Sequence, residues 1–204
     1  IHFNLSENVS QDIFGEIVPA AMGNDIPEWE IGPEYTRIDF FGYQSTGETF
    51  HKPQLIIYPA DQYAQMNLGA AENIAKLKLT LSSLETPSSD ETLPFLPLWN
   101  AGQVFHSNFA RLDFQNGSGI RYLTQYAQGI YPINNYSLFY TFQGLTSDER
   151  FYIAAIFPVS TPALPDPETM ELDQQFYDTY LQYIEETIFL LETQPLDTFT
   201  PSLI

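Results

Sequence analysis

The 204 residues contain no cysteine. Disulfides, zinc–thiolate sites, iron–sulfur clusters and thiol nucleophiles are therefore excluded together, while the redox compartment is left open. Cations are nearly as scarce: 7 Lys plus Arg stand against 26 Asp plus Glu, a formal charge of -19. Nucleic-acid binding depends on cations that neutralise phosphates, and anionic membrane surfaces recruit polybasic segments, so neither partner suits this chain. The bland meaning of the excess acid is that it keeps an aromatic-rich protein soluble and monomeric. The sharper one is a docking face for a basic partner or for divalent cations. No apolar stretch is long enough to span a bilayer, and no basic segment leads into an apolar run as in a signal peptide. A leader or lipid anchor is expected upstream of Ile1.

Reactive constellations are missing as well. There is no G-x-S-x-G elbow, G-x-G-x-x-G or Walker loop, H-E-x-x-H pair or EF-hand loop. The three histidines, His2, His51 and His106, have no acid or second histidine at the helical or strand spacing a metal requires. No catalytic residue, metal ligand or cofactor is assigned. Acids are numerous enough to form pairs by chance, which keeps a hydrolase with two carboxylates as an alternative. Weak Ca²⁺ binding by the acidic loops, through Glu168, Glu171 and Asp173 or through Asp90 and Glu91, is the other use of acid, although these lack the spacing and glycine of a dedicated calcium loop. Asn4, Asn8, Asn116 and Asn135 each begin an Asn-x-Ser triplet, a glycosylation acceptor pattern that arises easily by accident here.

Aromatic residues are abundant. Hydrophobic residues make up 44% of the chain and aromatic ones 15%, chiefly 16 Phe and 13 Tyr, which favour pleated, half-buried surfaces. From Gln103 to Ser160 the chain alternates like a β-meander. Val104, His106, Asn108, Ala110, Leu112 and Phe114 interleave with Phe105, Ser107, Phe109, Arg111 and Asp113, and successive strand side chains point to opposite faces. Gly117 and Gly119 mark a hairpin turn needing positive φ. Strands follow at 120–126, 136–142 and 151–157. Earlier strands are expected around 2–5, at 35–43 and at 53–60, with an apolar run at 13–20. Ala70, Ile74, Leu77, Leu81 and Leu84 form one stripe of a helix at 68–84. A second helix at 173–193 opens with clustered acids, as the helix dipole favours. Strands with segregated helices predict a single α+β domain over 1–204, a mainly antiparallel sheet of about six strands with these two helices packed on it. The expected core is Leu55, Ile57, Ile74, Leu77, Leu81, Leu112, Tyr140, Phe142, Ile153, Ala155, Tyr180, Ile184 and Ile188.

The candidate binding surface comprises Trp99, His106, Arg111, Arg121 and Tyr122. Trp99 follows Pro94 and Pro97 at a sheet rim, where a large aromatic stays partly buried. His106, Arg111 and Arg121 are able to donate charged hydrogen bonds. Arg111 and Arg121 flank one hairpin, so a joint anion contact from one side competes with ordinary pairing to acids such as Asp113, and pairing weighs more.

The segments Leu123-Thr124-Gln125-Tyr126, Pro132-Ile133-Asn134-Asn135, 138–146 and 152–160, with the tail 197–203, resemble uncharacterised bacterial secreted proteins and lipoproteins. The order of elements is more remotely similar to the Mog1/PsbP-like α/β/α sandwich, whose members are mostly non-catalytic accessory or binding proteins. These resemblances and the composition together imply an extracytoplasmic, non-catalytic binding or accessory module. Its partner is expected to be a protein, a polar small molecule or a glycan on an aromatic surface. A structural or assembly-forming surface protein is the third alternative.

Overall fold

The computed structural model describes residues 10–44, 47–165 and 172–202. The strand expected around 2–5 lies outside them. Seven strands, one more than expected, form one antiparallel sheet: β1 (Asp12–Val18), β2 (Tyr35–Phe41), β3 (Gln54–Pro59), β4 (Gly102–Phe114), β5 (Gly117–Ala127), β6 (Phe139–Thr146) and β7 (Phe151–Pro158). Their spatial order is β1-β2-β3-β7-β6-β5-β4. The apolar run at 13–20 supplies β1, an edge strand. Between β3 and β4 come helices α1 (Ala60–Met66) and α2 (Leu68–Ser82), and after β7 come α3 (Gln174–Asp178) and α4 (Tyr180–Thr193).

A polar side chain caps α2 and another caps the short α3, whereas α4 follows Thr179 without a side-chain cap. The Asn67 side chain accepts the Ala70 N–H at 3.2 Å, capping α2, and its amide donates to Glu28 O and Ile31 O. That one residue separates α1 from α2 and pins the loop before β2 to the break. The second helical segment begins with Asp173 accepting from Phe176 N, then breaks at Thr179, so the regular helix starts seven residues later than the acids suggest.

The helices cover opposite faces. On the first face Ile56, Tyr58, Ile120, Tyr122 and Tyr152 pack against Tyr63, Ala70, Ile74 and Leu77 of α1 and α2. On the second, Phe105 and Leu123 pack against Ile188 and Leu191 of α4, with Phe199 closing the cluster. Because α4 lies against β4, several second-face residues of β3 and β6 are only half-buried. Leu55, Ile57, Tyr140 and Phe142 therefore belong to the boundary, whereas their neighbours Ile56, Tyr58, Phe139 and Leu145 are buried. Ile74, Leu77, Ile153, Ala155 and Ile188 are core as expected; Leu81, Tyr180 and Ile184 are half-buried.

Strand β4 departs from simple alternation. Its register against β5 slips between Gln103 and Phe105 and between Ser107 and Ala110, and Asn108 takes a left-handed φ of 52°, a β-bulge. His106, opposite Thr124, and Arg111, opposite Ile120, consequently share the α2 face, while Leu112 turns to the other and is 38% exposed. The glycines of the hairpin have a different purpose from the turn chemistry expected. Gly117 and Gly119 lie within β5 with no positive φ. A Cβ on Gly119 would stand 2.4 Å from Phe142 Cζ and 2.7 Å from Gln143 O. Gly119 pairs directly with Gly144, and the Phe142 ring lies over both, filling the missing side-chain volume.

Candidate functional site

At one end of the sheet the β2–β3 loop, the approach to β4 and the β5–β6 loop meet around an open groove of about 1330 Å³. Its floor is a continuous run of rings. His51 stacks on Trp99, with centroids 4.7 Å apart and planes 8° apart, and meets Phe139 edge-on at 4.5 Å. Trp99 in turn packs against Phe95 and Tyr126. Phe50 extends the run from His51 to Tyr136. Tilted and edge-to-face pairs of this kind satisfy the ring quadrupoles. Phe41, Phe50, Tyr131 and Tyr136 on the walls remain exposed, Phe50 at 65%.

Long-range side-chain hydrogen bonds hold these rings in place. The segment leading to Trp99 has no strand partner, so its backbone is satisfied by side chains. Gln103 Oε1 accepts Leu93 N, Tyr122 OH donates to Pro94 O, and Asn73 Oδ1 accepts Phe95 N. Gln143 Oε1 accepts Leu96 N while its Nε2 donates to Leu96 O, reproducing a ladder pair with a side chain. The β5–β6 loop is fixed by a buried amide cluster: Gln125 Oε1 accepts Asn134 N, and both Gln125 Nε2 and Asn134 Nδ2 donate to Pro132 O. Phe50 N donates to Tyr136 O at 2.7 Å, tying the two walls together.

The electrostatics of the groove differ from those of the whole chain. Among the described residues its lining carries one carboxylate, Asp39, which accepts from Arg37 Nε at 3.2 Å; Arg37 also pairs with Glu16. Lys52 is exposed beside His51. His51 is 9% exposed, and burial lowers its pKa from 6.5 to about 4, so the ring is neutral at pH 7. Its Nε2 is buried without a hydrogen-bond partner. Burial likewise raises the pKa values of Tyr43 and Tyr126. Among the described residues two carboxyls are displaced from their ordinary value, Asp90 and Asp148; they are lowered by the hydroxyls of Ser88 and Thr146 respectively and lie outside this lining.

The five residues singled out from sequence are not brought together. Trp99 lines the groove, half-buried at the sheet end. Tyr122 lies beneath the segment leading to Trp99, fully buried. His106 Nε2 lies 2.9 Å from Ser88 O, holding the loop that precedes that segment. Arg111 donates to Thr80 O and Glu85 O, closing the C-terminus of α2, with Phe109 under its guanidinium. Arg121, opposite Ala110, takes the other face, above Tyr140. The hairpin arginines thus point to opposite sides. Phe50, His51, Tyr131 and Tyr136 escaped sequence reading because loops from distant segments assemble them, with no local periodicity.

Among the described residues no group of three or more His, Asp or Glu is placed to hold a metal ion. Asp90 and Glu91 form no such group, and Glu168 and Glu171 lie outside the described residues. The Asn135 side chain is committed to Thr161, donating to its O and accepting from its N, whereas Asn116 is exposed at the hairpin turn; Asn4 and Asn8 lie outside the described residues. Among the described residues no helix is long and apolar enough to cross a membrane. No protein-family model, curated protein or solved structure matches the chain.

Proposed function

We propose that the chain is a non-catalytic binding module and that the aromatic groove is its binding element. The observation that carries this is the run of rings from Tyr136 through Phe50, His51 and Trp99 to Tyr126, exposed on its walls and fixed from below. Concave sites lined by aromatics with a few convergent polar groups are where ligands bind. Fixed loops reduce the ordering cost of association. The alternative of a two-carboxylate hydrolase would require a second acid 5–10 Å or so from the first, and among the described residues Asp39 is the one groove carboxylate, already engaged by Arg37. We place the module outside the cytoplasm, on its acidic, aromatic composition and on the resemblance to secreted proteins proposed from its sequence; fractionation of the producing cells tests that assignment.

A ligand screen with glycans, peptides and small polar molecules tests the groove itself. Hits are expected to perturb Trp99 fluorescence and to weaken about tenfold or more in Trp99→Ala, as truncation of a central aromatic anchor does. Hits that bind Trp99→Ala as well as the parent protein would place the site elsewhere.

A further inference from the structure

We propose that the groove takes an oligosaccharide chain bearing a uronic acid unit, whose carboxylate is received by Lys52; this rests on the groove-binding reading above. Length comes first. The groove runs from β2 to β5 across the ends of five neighbouring strands, and four inter-strand steps of ~4.8 Å make that roughly 19 Å. Its volume of about 1330 Å³ exceeds the roughly 300–1,000 Å³ of small-molecule pockets. A single sugar or other small metabolite leaves most of it unfilled, and a chain does not.

The lining selects the kind of chain. The faces of Phe50, Trp99, Tyr131 and Tyr136 carry negative quadrupole potential, which attracts the C–H faces of pyranose rings. The side-chain amides of Gln54 and Asn100 line the groove with no hydrogen bond to protein among the described residues. Each presents a donor and an acceptor side by side, the pattern that neighbouring hydroxyls complement. A peptide strand is disfavoured, because the groove crosses strand ends and offers no free sheet edge on which a ladder could grow.

Charge adds the acid. Six of the seven cations have partners. Arg37 pairs with Glu16 and Asp39, Lys78 with Glu149, and Lys76 with Thr92. Arg111 holds Thr80 O, and Arg121 and Arg150 sit over Tyr140 and Phe151. Lys52 is the one cation with none among the described residues, although acids outnumber cations almost fourfold. It stands among neutral rings and amides, and the one acid in the lining among the described residues, Asp39, is already held by Arg37. A charge of -19 still repels a dense polyanion on approach, so the acid is one unit among neutral ones.

Titration calorimetry on the full chain decides this, using uronate-bearing oligosaccharides, each paired with its carboxyl-reduced counterpart, together with a polyuronate and an unrelated acidic peptide. The uronate member is expected to bind about two- to fivefold tighter than its reduced partner, the range of an exposed ion pair. That preference is expected to vanish in Lys52→Met and at about 0.5 M salt, while Trp99→Ala weakens both members alike. Equal affinity within each pair, a preference surviving Lys52→Met, or a polyuronate binding tightest overturns the carboxylate assignment and leaves the groove reading standing. Binding of the peptide and of no saccharide overturns the sugar assignment. Absence of any binding that depends on Trp99 overturns the groove reading itself.

Discussion

Replacing Gln143 by Leu removes a fully buried side chain that satisfies four groups at once. Its Oε1 accepts Leu96 N at 2.9 Å and Tyr152 OH at 2.7 Å; its Nε2 donates to Leu96 O and Thr141 Oγ1. Thr141 keeps its bond to Ala155 O, so three buried groups are orphaned. Each unsatisfied buried group costs about 1–3 kcal/mol. Leu no longer has to desolvate an amide, which offsets part of the sum, and a net loss of roughly 3–5 kcal/mol follows. That is a large fraction of the ~5–15 kcal/mol typical of a domain. Urea unfolding followed by tryptophan fluorescence measures it, and Trp99 sits three residues beyond the bond. Gln143→Glu gives the sign. Its carboxylate still accepts but cannot donate, and burial raises the folded-state pKa above the unfolded value of about 4.3. The folded state then binds the extra proton, so the deficit relative to the parent deepens as pH rises through that window and shrinks toward about pH 4. A Gln143→Leu protein within about 1 kcal/mol of the parent would show that water or movement of the segment around Leu96 satisfies Leu96 and Tyr152, refuting the reasoning.

Other perturbations follow from the same structure. Leu77→Ala, emptying a fully buried position under α2, is expected to cost about 2–5 kcal/mol by urea midpoint, and a loss below ~1 kcal/mol would mean the helix is not seated as described. Gly119→Ala pushes a methyl into the Phe142 ring and Gln143 O; a loss of about 1–3 kcal/mol is expected, and Phe142→Ala in the same chain should relieve it. His51 has a folded pKa of about 4 against 6.5, so its neutral form contributes stability fully above pH 6.5, lost as pH falls toward 4, about 3 kcal/mol in all at ~1.4 per pH unit. The parent minus His51→Phe difference should show that slope; identical pH profiles would remove His51 as its source.

Hydrophobic period two located β5 and β7, and the Ala70, Ile74, Leu77 stripe located α2, because those segments obey one local rule throughout. Where a second force intervened the pattern misled. The bulge at Asn108 exchanges the faces of β4, so His106 and Leu112, grouped by simple alternation, part company. Ala60–Met66, without an apolar stripe of its own, folds as α1 because Tyr63 docks on Tyr58. β6 begins at Phe139 rather than Tyr136 since the amides of Asn134 and Asn135 hold the preceding turn. Trp99 was legible as a rim residue from its prolines. The rest of the groove was not, since Phe50 and Tyr136 meet, ring to ring and through a backbone bond, across two loops far apart in sequence.

The strand order also bears on how the chain reaches this state. Every neighbouring pair in the sheet joins consecutive strands except β3 and β7, where Gln54 meets Ile156 and Pro59 meets Phe151. Hairpins form within about 1–10 μs, whereas this seam must first close a long loop, and that entropic cost falls due before the strand pairing that offsets it. The meander β4–β7 is therefore expected to be structured in the folding transition state and the β3–β7 seam to zip afterwards. Stopped-flow kinetics on Ile120→Val and Ile56→Val measure the two stages separately: the first should slow folding, the second should mainly speed unfolding, and the reverse ranking would put the seam, not the meander, at the start.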